Sequence, residues 1–236
     1  MMDQIVTGST DTHLVSLDQS QSGNVIQSIH KQVVNPFFDL QTAAQNAGFE
    51  LKICSAYRSF DRQLQIWNGK LSGMRPVMDP FGKPINIQKL SPWQKIQAIL
   101  RWSALPGASR HHWGTDFDIY DASAMPENYQ IQLIPEEVQG NGLFAPMHNW
   151  LDSYLESGKT DFYRPYKTDK GGIAPERWHL SYRPLADKYA EILTRELLAA
   201  RLKNSDLMLK STSRSLLSQS RSAVVFPFVV PYFDSI

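Results

Sequence analysis

Residues 109–121, SRHHWGTDFDIYD, set two histidines and three aspartates around a single glycine. A solvated turn can carry such polarity, but seldom together with Trp113, Phe117, Ile119 and Tyr120. Read as extended from Trp113, the stretch puts Trp113, Thr115, Phe117 and Ile119 on one face and Gly114, Asp116, Asp118 and Tyr120 on the other. The first face is apolar enough to pack on a core. The second carries two carboxylates in a row, which repel each other unless a cation or hydrogen-bond donors compensate. His111, just ahead of the strand, can fold over the same edge, and Gly114 leaves room for close approach by backbone or substrate.

Outward from this strand the chain alternates helical and extended patterns. Asn35 and Pro36 read as cap and first position of a helix reaching Gly48. ELKICSAYRS alternates polar with apolar from Leu51 and reads as a strand ending at Arg58, after which Ser59 can cap a helix containing Leu64, Ile66 and Trp67. MRPVMDPFGKPIN reads as a loop or short hairpin, and Ser91-Pro92 opens another helix. Leu143 to Leu155 is helical in pattern and ends near Gly158. WHLSY reads as a further strand. Leu185, Tyr189, Ile192, Leu193 and Leu197 recur at helical spacing, with Glu191 and Arg195 as an i,i+4 pair. The pattern predicts one α+β domain with a small, mostly antiparallel sheet flanked by helices. It divides the chain into an irregular lead-in over 1–23, a main domain over 24–203 and, over 204–236, a serine-rich linker with an apolar arm broken by Pro227 and Pro231.

At 236 residues, 42% hydrophobic and 20% charged, the chain has ordinary globular composition. A net charge of +1 gives no basic excess to favour nucleic acid or an anionic membrane. No apolar run reaches the roughly 18–20 residues of a spanning helix. The first 20 residues have neither the basic start nor the apolar stretch of a signal peptide. Cys54 is the single cysteine, so an internal disulfide is impossible and a metal site must be built from histidine and carboxylate.

A catalytic zinc usually takes three protein ligands and keeps one open position. His111 and Asp118 supply two. Glu176-Arg177-Trp178-His179 offers the third in His179, with Glu176 as a base for water activated by the ion. Alone, each fragment is a weak signal; together, with Ser109 and Gly114 at fixed offsets, they form a specific one.

SRHHWGTDFD fits the pattern SxHxxGxxxD, and ERWH the pattern ExWH, so the chain resembles the zinc-dependent D-alanyl-D-alanine carboxypeptidases of the vancomycin-resistance type. That group is related to D-alanyl-D-alanine dipeptidases, phage peptidoglycan endopeptidases and the hedgehog domain. SAYRSFDRQ is similar to the family's upstream YRSxxxQ segment, and in motif order the resemblance covers roughly residues 35 to 190. It implies one zinc ion held by His111, Asp118 and His179, with Glu176 as general base and acid. It further implies that Arg58 holds a substrate carboxylate or stabilises the oxyanion, while Gln63 and Ser109 position the peptide. Asp116 stands where many relatives carry a small residue such as alanine, and is expected to hydrogen-bond a ligand histidine from behind. Trp178 is expected to pack against and orient His179.

The implied activity is hydrolysis next to D-amino acids in peptidoglycan stem peptides or their precursors, most simply removal of terminal D-alanine. An endopeptidase of the same chemistry and a non-catalytic zinc-stabilised binding domain are the alternatives, and Glu176 speaks against the second. The family's role in the cell envelope contrasts with the lack of a visible export signal. His112 is expected to point away from the site. His13, His30 and His148 read as ordinary residues and Cys54 as a small hydrophobe; Arg110 and Arg177 read either as solvated rim residues or as groups that recognise acidic parts of a substrate.

Overall fold

The computed structural model describes residues 1–18, 26–80, 82–203 and 205–208. The short helix α1 (Met2–Val6) precedes an antiparallel hairpin, β1 (Leu14–Asp18) and β2 (Ile26–His30). Order therefore begins well inside the expected irregular lead-in. Trp113 explains part of it: the indole is fully buried and its Nε1–H donates to Val6 O at 3.2 Å, tying α1 to the segment that opens the central strand.

After a 3-10 turn over Lys31–Val33 comes α2 (Val34–Asn46). This helix starts one residue before the expected cap, because His30 caps the preceding turn by accepting the Gln32 N–H on its ring nitrogen. Pro36 thus lies inside the first helical turn, where its missing N–H costs nothing. Then follow β3 (Leu51–Ser55) and α3 (Phe60–Leu71), the latter capped by Ser59, whose side chain accepts from Arg62 N. The proline-rich segment forms a short hairpin, β4 (Val77–Met78) and β5 (Pro84–Ile85). Ser91 and Gln94 form a capping box at the start of α4 (Pro92–Leu100).

The central strand is β6 (Asp116–Asp121). It begins later than the alternation suggests, since Arg110–Trp113 form a 3-10 turn that Gly114 ends at φ 68°. The short α5 (Pro135–Val138) and α6 (Ala145–Glu156) precede β7 (Phe162–Tyr163) and β8 (His179–Tyr182). The chain then forms α7 (Arg183–Ile192) and α8 (Arg195–Lys203). The single C-terminal helix expected from periodicity is thus two. Leu193 is extended, and Thr194 starts α8 afresh by accepting the Leu197 N–H. Glu191 and Arg195 consequently do not share a helix. The expectations for the serine-rich linker and the proline-broken arm fall on residues outside those described.

The four-stranded sheet has the order β3-β6-β8-β7 and is antiparallel throughout. Alternation sends Phe117, Ile119 and Leu180 into a core with Ile53, covered by Phe37 and Leu40 of α2 and by Met147 and Leu151 of α6. Phe117 meets Phe37 and Phe162 edge-on at 5.2 and 5.6 Å. A second core gathers α1, α3, α4, α7 and α8 around Trp67, Ile96, Ile99 and Trp113. The architecture is the α+β arrangement expected. Among the described residues no helix is long and apolar enough to cross a membrane.

Two close contacts hold the hairpin β1–β2 to the central strand. His30 N donates to Gly114 O at 2.8 Å, and a Cβ added to Gly114 would lie 2.4 Å from Leu14 Cδ2 and 2.9 Å from His30 N. The approach that Gly114 permits is thus by backbone. Gly114→Ala is expected to cost at least about 2 kcal/mol, from left-handed strain and steric overlap, measured as a lower midpoint in denaturant unfolding.

His30 is buried between neighbours that fix its tautomer. Since one ring nitrogen accepts from Gln32 N, the other carries the proton and donates to Tyr189 OH at 3.1 Å. Burial first, then the charges of His13 and Lys31, push its pKa from 6.5 down to about 4. The unfolded chain takes up this proton near pH 6.5, so the neutral ring contributes stability above that pH which is lost as pH falls toward 4. His30→Gln is expected to lose less stability than the parent protein between pH 7 and pH 4, by on the order of 2 kcal/mol. Equal losses in urea melts at the two pH values would remove this assignment.

Candidate active site

Strand register makes the site. In the β6–β8 pairing Asp118 lies directly opposite His179, and Asp116 opposite Ser181. These side chains project from the face opposite Phe117 and Leu180. On the other flank β3 is irregular between Ile53 and Ser55, and Ser55 is set against Asp118. The chain then runs through Ala56 to Arg58 alongside the 3-10 turn that carries His111. Arg58 N donates to His111 O at 3.1 Å. His112 Nδ1 donates to Arg58 O at 2.6 Å, while its Nε2 accepts from Gly107 N at 3.0 Å. His112 does face away from His111, but into a fully buried structural role rather than solvent.

His111, Asp118 and His179 are all buried, and one ligand atom from each lies within 4.8 Å of the others. Their tautomers suit a cation. His111 Nδ1 donates to Ala56 O at 2.9 Å, which leaves the Nε2 lone pair facing Asp118 Oδ2 at 3.5 Å. His179 Nε2 donates to Asp116 Oδ1 at 3.1 Å, which leaves Nδ1 facing Asp118 Oδ1 at 3.3 Å and Glu176 Oε2 at 3.5 Å. Asp118 Oδ1 and His179 Nδ1 are buried without a hydrogen-bond partner, a costly state for polar atoms unless something else binds there. Two imidazoles and a carboxylate are the donor set that zinc accepts, so the residues fit that ion.

The electrostatics agree. Burial lowers the His111 pKa to about 3, with Arg58 acting in the same direction, so its ring is neutral. Burial by itself would raise Asp118, yet His111, His179 and Arg58 hold it down to about 2. Burial opposes charging His179, but the carboxylates of Asp116, Asp118 and Glu176 around it hold its pKa well above 6.5, so without an ion the ring carries a second proton at Nδ1, the place a cation would take. The carboxylates around His179 Nδ1 thus favour positive charge at that point, whether a proton or a metal ion. Burial raises Glu176 above the ordinary carboxylate range, against the pull of His179, as suits a group that must both take and give a proton.

Asp116 sits behind His179, as expected from sequence. Its partner was missed: Arg110 is buried, not a rim residue. Arg110 Nε donates to Asp116 Oδ1 at 2.7 Å, and Nη2 donates to Tyr163 OH and Ser181 Oγ at 2.8 and 2.7 Å. Thr115 donates a further hydrogen bond to Asp116 at 2.6 Å. Burial would raise the Asp116 pKa, but Arg110 and His179 hold it down to about 2. Both Asp116 oxygens are thereby occupied, Oδ1 by Arg110 and His179 and Oδ2 by Thr115, which leaves Asp118 as the aspartate facing the centre. Arg177 is likewise structural, donating to Asp152 Oδ2 at 2.6 Å and to Asn149 Oδ1 at 2.7 Å.

Arg58 reaches the site with Nη2 3.5 Å from Asp118 Oδ2. Gln63 is completely buried, donates to Ala104 O at 2.7 Å and accepts from Arg58 Nη1 at 3.2 Å. Both ends of its amide are engaged, so it positions Arg58. Ser109 is buried and lines a small recess with Tyr166 and Ala104. Trp178 stacks on Trp102 at 6.4 Å, and the pair walls a larger cavity. Tyr166, edge-on to His179 at 4.9 Å, and Trp102 carried no sequence signal beyond being aromatic. Cys54 has its thiol pushed up to about 12, chiefly by burial, which removes it as a nucleophile.

The loop facing this cavity is held by one buried carboxylate. Glu137 accepts from Tyr129 OH and from the Gln132 and Leu133 N–H groups, each at 2.8 Å. Those bonds fix Leu133 at φ 55°, beside Gln132 and Ile134 on the cavity wall.

Two uncharacterized proteins of Haemophilus influenzae are similar to this chain. One is 44% identical over 102 residues, covering 43% of this chain and 68% of its own length; the other is 32% identical over 106 residues, covering 44% and 79%. Among solved structures, VanYB in complex with D-alanine-D-alanine superposes with a TM-score of 0.50 at 21% identity, covering 81% of this chain and 90% of that one. A zinc complex of a vancomycin-resistance D,D-pentapeptidase VanY mutant, from a VanB-type cassette, gives 0.50 at 24% identity over 80% and 92%. These likenesses establish the fold. The model of the family VanY, D-alanyl-D-alanine carboxypeptidase, matches residues 26–185, and with more than half its length so matched the chain belongs to that peptidase family.

Proposed function

We propose that the protein is a zinc metallopeptidase that removes the terminal D-alanine from peptidoglycan stem peptides or their precursors. The observation that carries this reading is the convergence of His111 Nε2, Asp118 and His179 Nδ1 on one point, next to a carboxyl that has no structural task. Those three residues hold the ion. Zinc in such a donor set supplies a Lewis acid for a peptide carbonyl and makes water a better nucleophile near neutral pH.

The chain's own groups do the rest. Glu176, 12% exposed at the edge of the cavity, takes the proton of the attacking water at its free oxygen and passes it to the leaving amine. Its raised pKa eases the first transfer. Arg58 has a buried Nε without a partner and presents its guanidinium to the substrate's terminal carboxylate or to the oxygen that gains charge. Gln63 and the bond from Arg58 N to His111 O keep that arginine in place, so little reorganisation is needed when substrate arrives. The recess beside Ser109, about 30 Å³, matches a side chain no larger than a methyl group. The Arg110–Asp116 pair fixes the ring of His179 from behind.

Purified protein is expected to release free D-alanine from a pentapeptide stem, to stop when zinc is chelated and to recover on its return. Larger fragments without free D-alanine would mark an endopeptidase instead, and binding of the peptide by the zinc-loaded protein with no cleavage would mark a binding domain. Glu176→Gln is expected to lower kcat by about 10²–10⁴-fold while metal analysis still finds one zinc per chain. A variant that kept near-normal turnover would remove this mechanism. His111→Ala is expected to lose the zinc itself, seen in the same metal analysis.

A further inference from the structure

Two recesses open from the His111–Glu176 cluster, and they differ in size and charge. The small one holds Ser109, Ala104 and Tyr166; the large one, about 360 Å³, extends between the two tryptophans and the α3 side of the fold. If the small recess takes the terminal residue, the large one takes the peptide on the amino-terminal side of the scissile bond. Its α3 wall carries Arg58, Lys70 and Arg75. Its carboxylates, Asp118 and Glu176, both belong to the metal cluster.

Lys70 and Arg75 are cations without a counter-ion. Among the described residues neither lies within ion-pair distance of a carboxylate. Lys70 is partly buried, and among the described residues its ammonium donates one hydrogen bond, to Ser103 Oγ at 2.5 Å, which leaves donors free for an anion. Burial first, then Arg58, lowers the Lys70 pKa to about 8 against the pull of the more distant Glu176 carboxylate, with Arg75 adding a smaller push in the same direction. Arg75 is exposed but not randomly disposed: its backbone N–H donates to Gly69 O at 2.9 Å, and its stem lies across Gly69. A Cβ at Gly69 would stand 3.0 Å from Arg75 Cδ. Glycine inside a helix costs about 1 kcal/mol relative to alanine, and here it lets the arginine cross α3 beside Lys70.

We infer that Lys70 and Arg75 form a subsite for a second substrate carboxylate, borne on a side chain amino-terminal to the scissile bond, so that the preferred stem peptide contains a diacid residue. This rests on the peptidase reading above. A carboxylate there completes the hydrogen bonds of the Lys70 ammonium and offsets the repulsion among three neighbouring cations. A side chain that ends in an amine alone brings a fourth positive charge to the same wall with no carboxylate to offset it.

Two pentapeptides identical except at the third residue, meso-diaminopimelate in one and lysine in the other, provide the test. They are titrated calorimetrically into the zinc-loaded Glu176→Gln protein, and their turnover is measured with the unaltered enzyme. The diacid peptide is expected to bind at least about tenfold tighter, the scale of one charge-assisted hydrogen bond. Lys70→Gln and Arg75→Gln, each added to that background, are expected to shrink the ratio to within about twofold. Arg75 is exposed, so its variant remains decisive if Lys70→Gln does not fold. Equal binding of the two peptides, binding of neither, or a preference untouched by Arg75→Gln overturns the subsite. A charge-dependent preference without any hydrolysis would retain the subsite and sink the peptidase reading. Cleavage of both peptides at equal affinity would do the reverse.

Discussion

The pairing of β6 with β8 is the constraint on which the site depends. Antiparallel register sets Asp118 opposite His179 and, two residues along, Asp116 opposite Ser181. A shift of one residue would turn both aspartates into the apolar core and bring Phe117 to the polar face. Phe117, Ile119 and Leu180, packed under α2 and α6, make that shift prohibitive. The hydrophobic core thus specifies the geometry of a polar cluster on the other side of the same sheet.

Around this pair the protein places its polar groups in layers. Directly behind His179 stands Asp116, and behind Asp116 stands Arg110, itself bound to Tyr163 and Ser181. An isolated buried carboxylate would be strongly unfavourable; the guanidinium offsets it and aims it. His111 is oriented by a backbone carbonyl instead. Each imidazole therefore has one N–H drawn outward and its other ring nitrogen turned toward the centre. Arg58 is fixed by the same logic, through Gln63 and through backbone bonds to the turn that carries His111 and His112. Such preorganisation is what a catalytic site needs, because groups already in place cost little to align during the reaction.

Much of the site was legible in the chain itself because its chemistry is local in sequence. The stretch from Ser109 to Asp118 and the ERWH fragment each carry their donors at short fixed spacings, and Arg58 and Gln63 follow one another on a capped turn. What stayed hidden depends on contacts between distant segments. Arg110 looks like any surface arginine until β8 brings Ser181 to it. Lys70 is an ordinary helical lysine until Arg75 folds back over Gly69. His30 and Tyr189, far apart in the chain, read as unrelated residues. Secondary structure erred where a tertiary partner overrode local pattern: Gly114 delays the strand, His30 advances α2, and Thr194 divides a helix that periodicity runs together.

The sequence by itself determined the class of fold and set the histidines, aspartates and Glu176 at short spacings, since alternation, caps and short motifs are properties of neighbouring residues. Only the tertiary structure decided which aspartate faces the centre, which tautomer each histidine adopts and which cations remain unpaired. Those outcomes rest on burial and hydrogen bonding between segments far apart in the chain, and only the folded sheet and its helices bring such segments together.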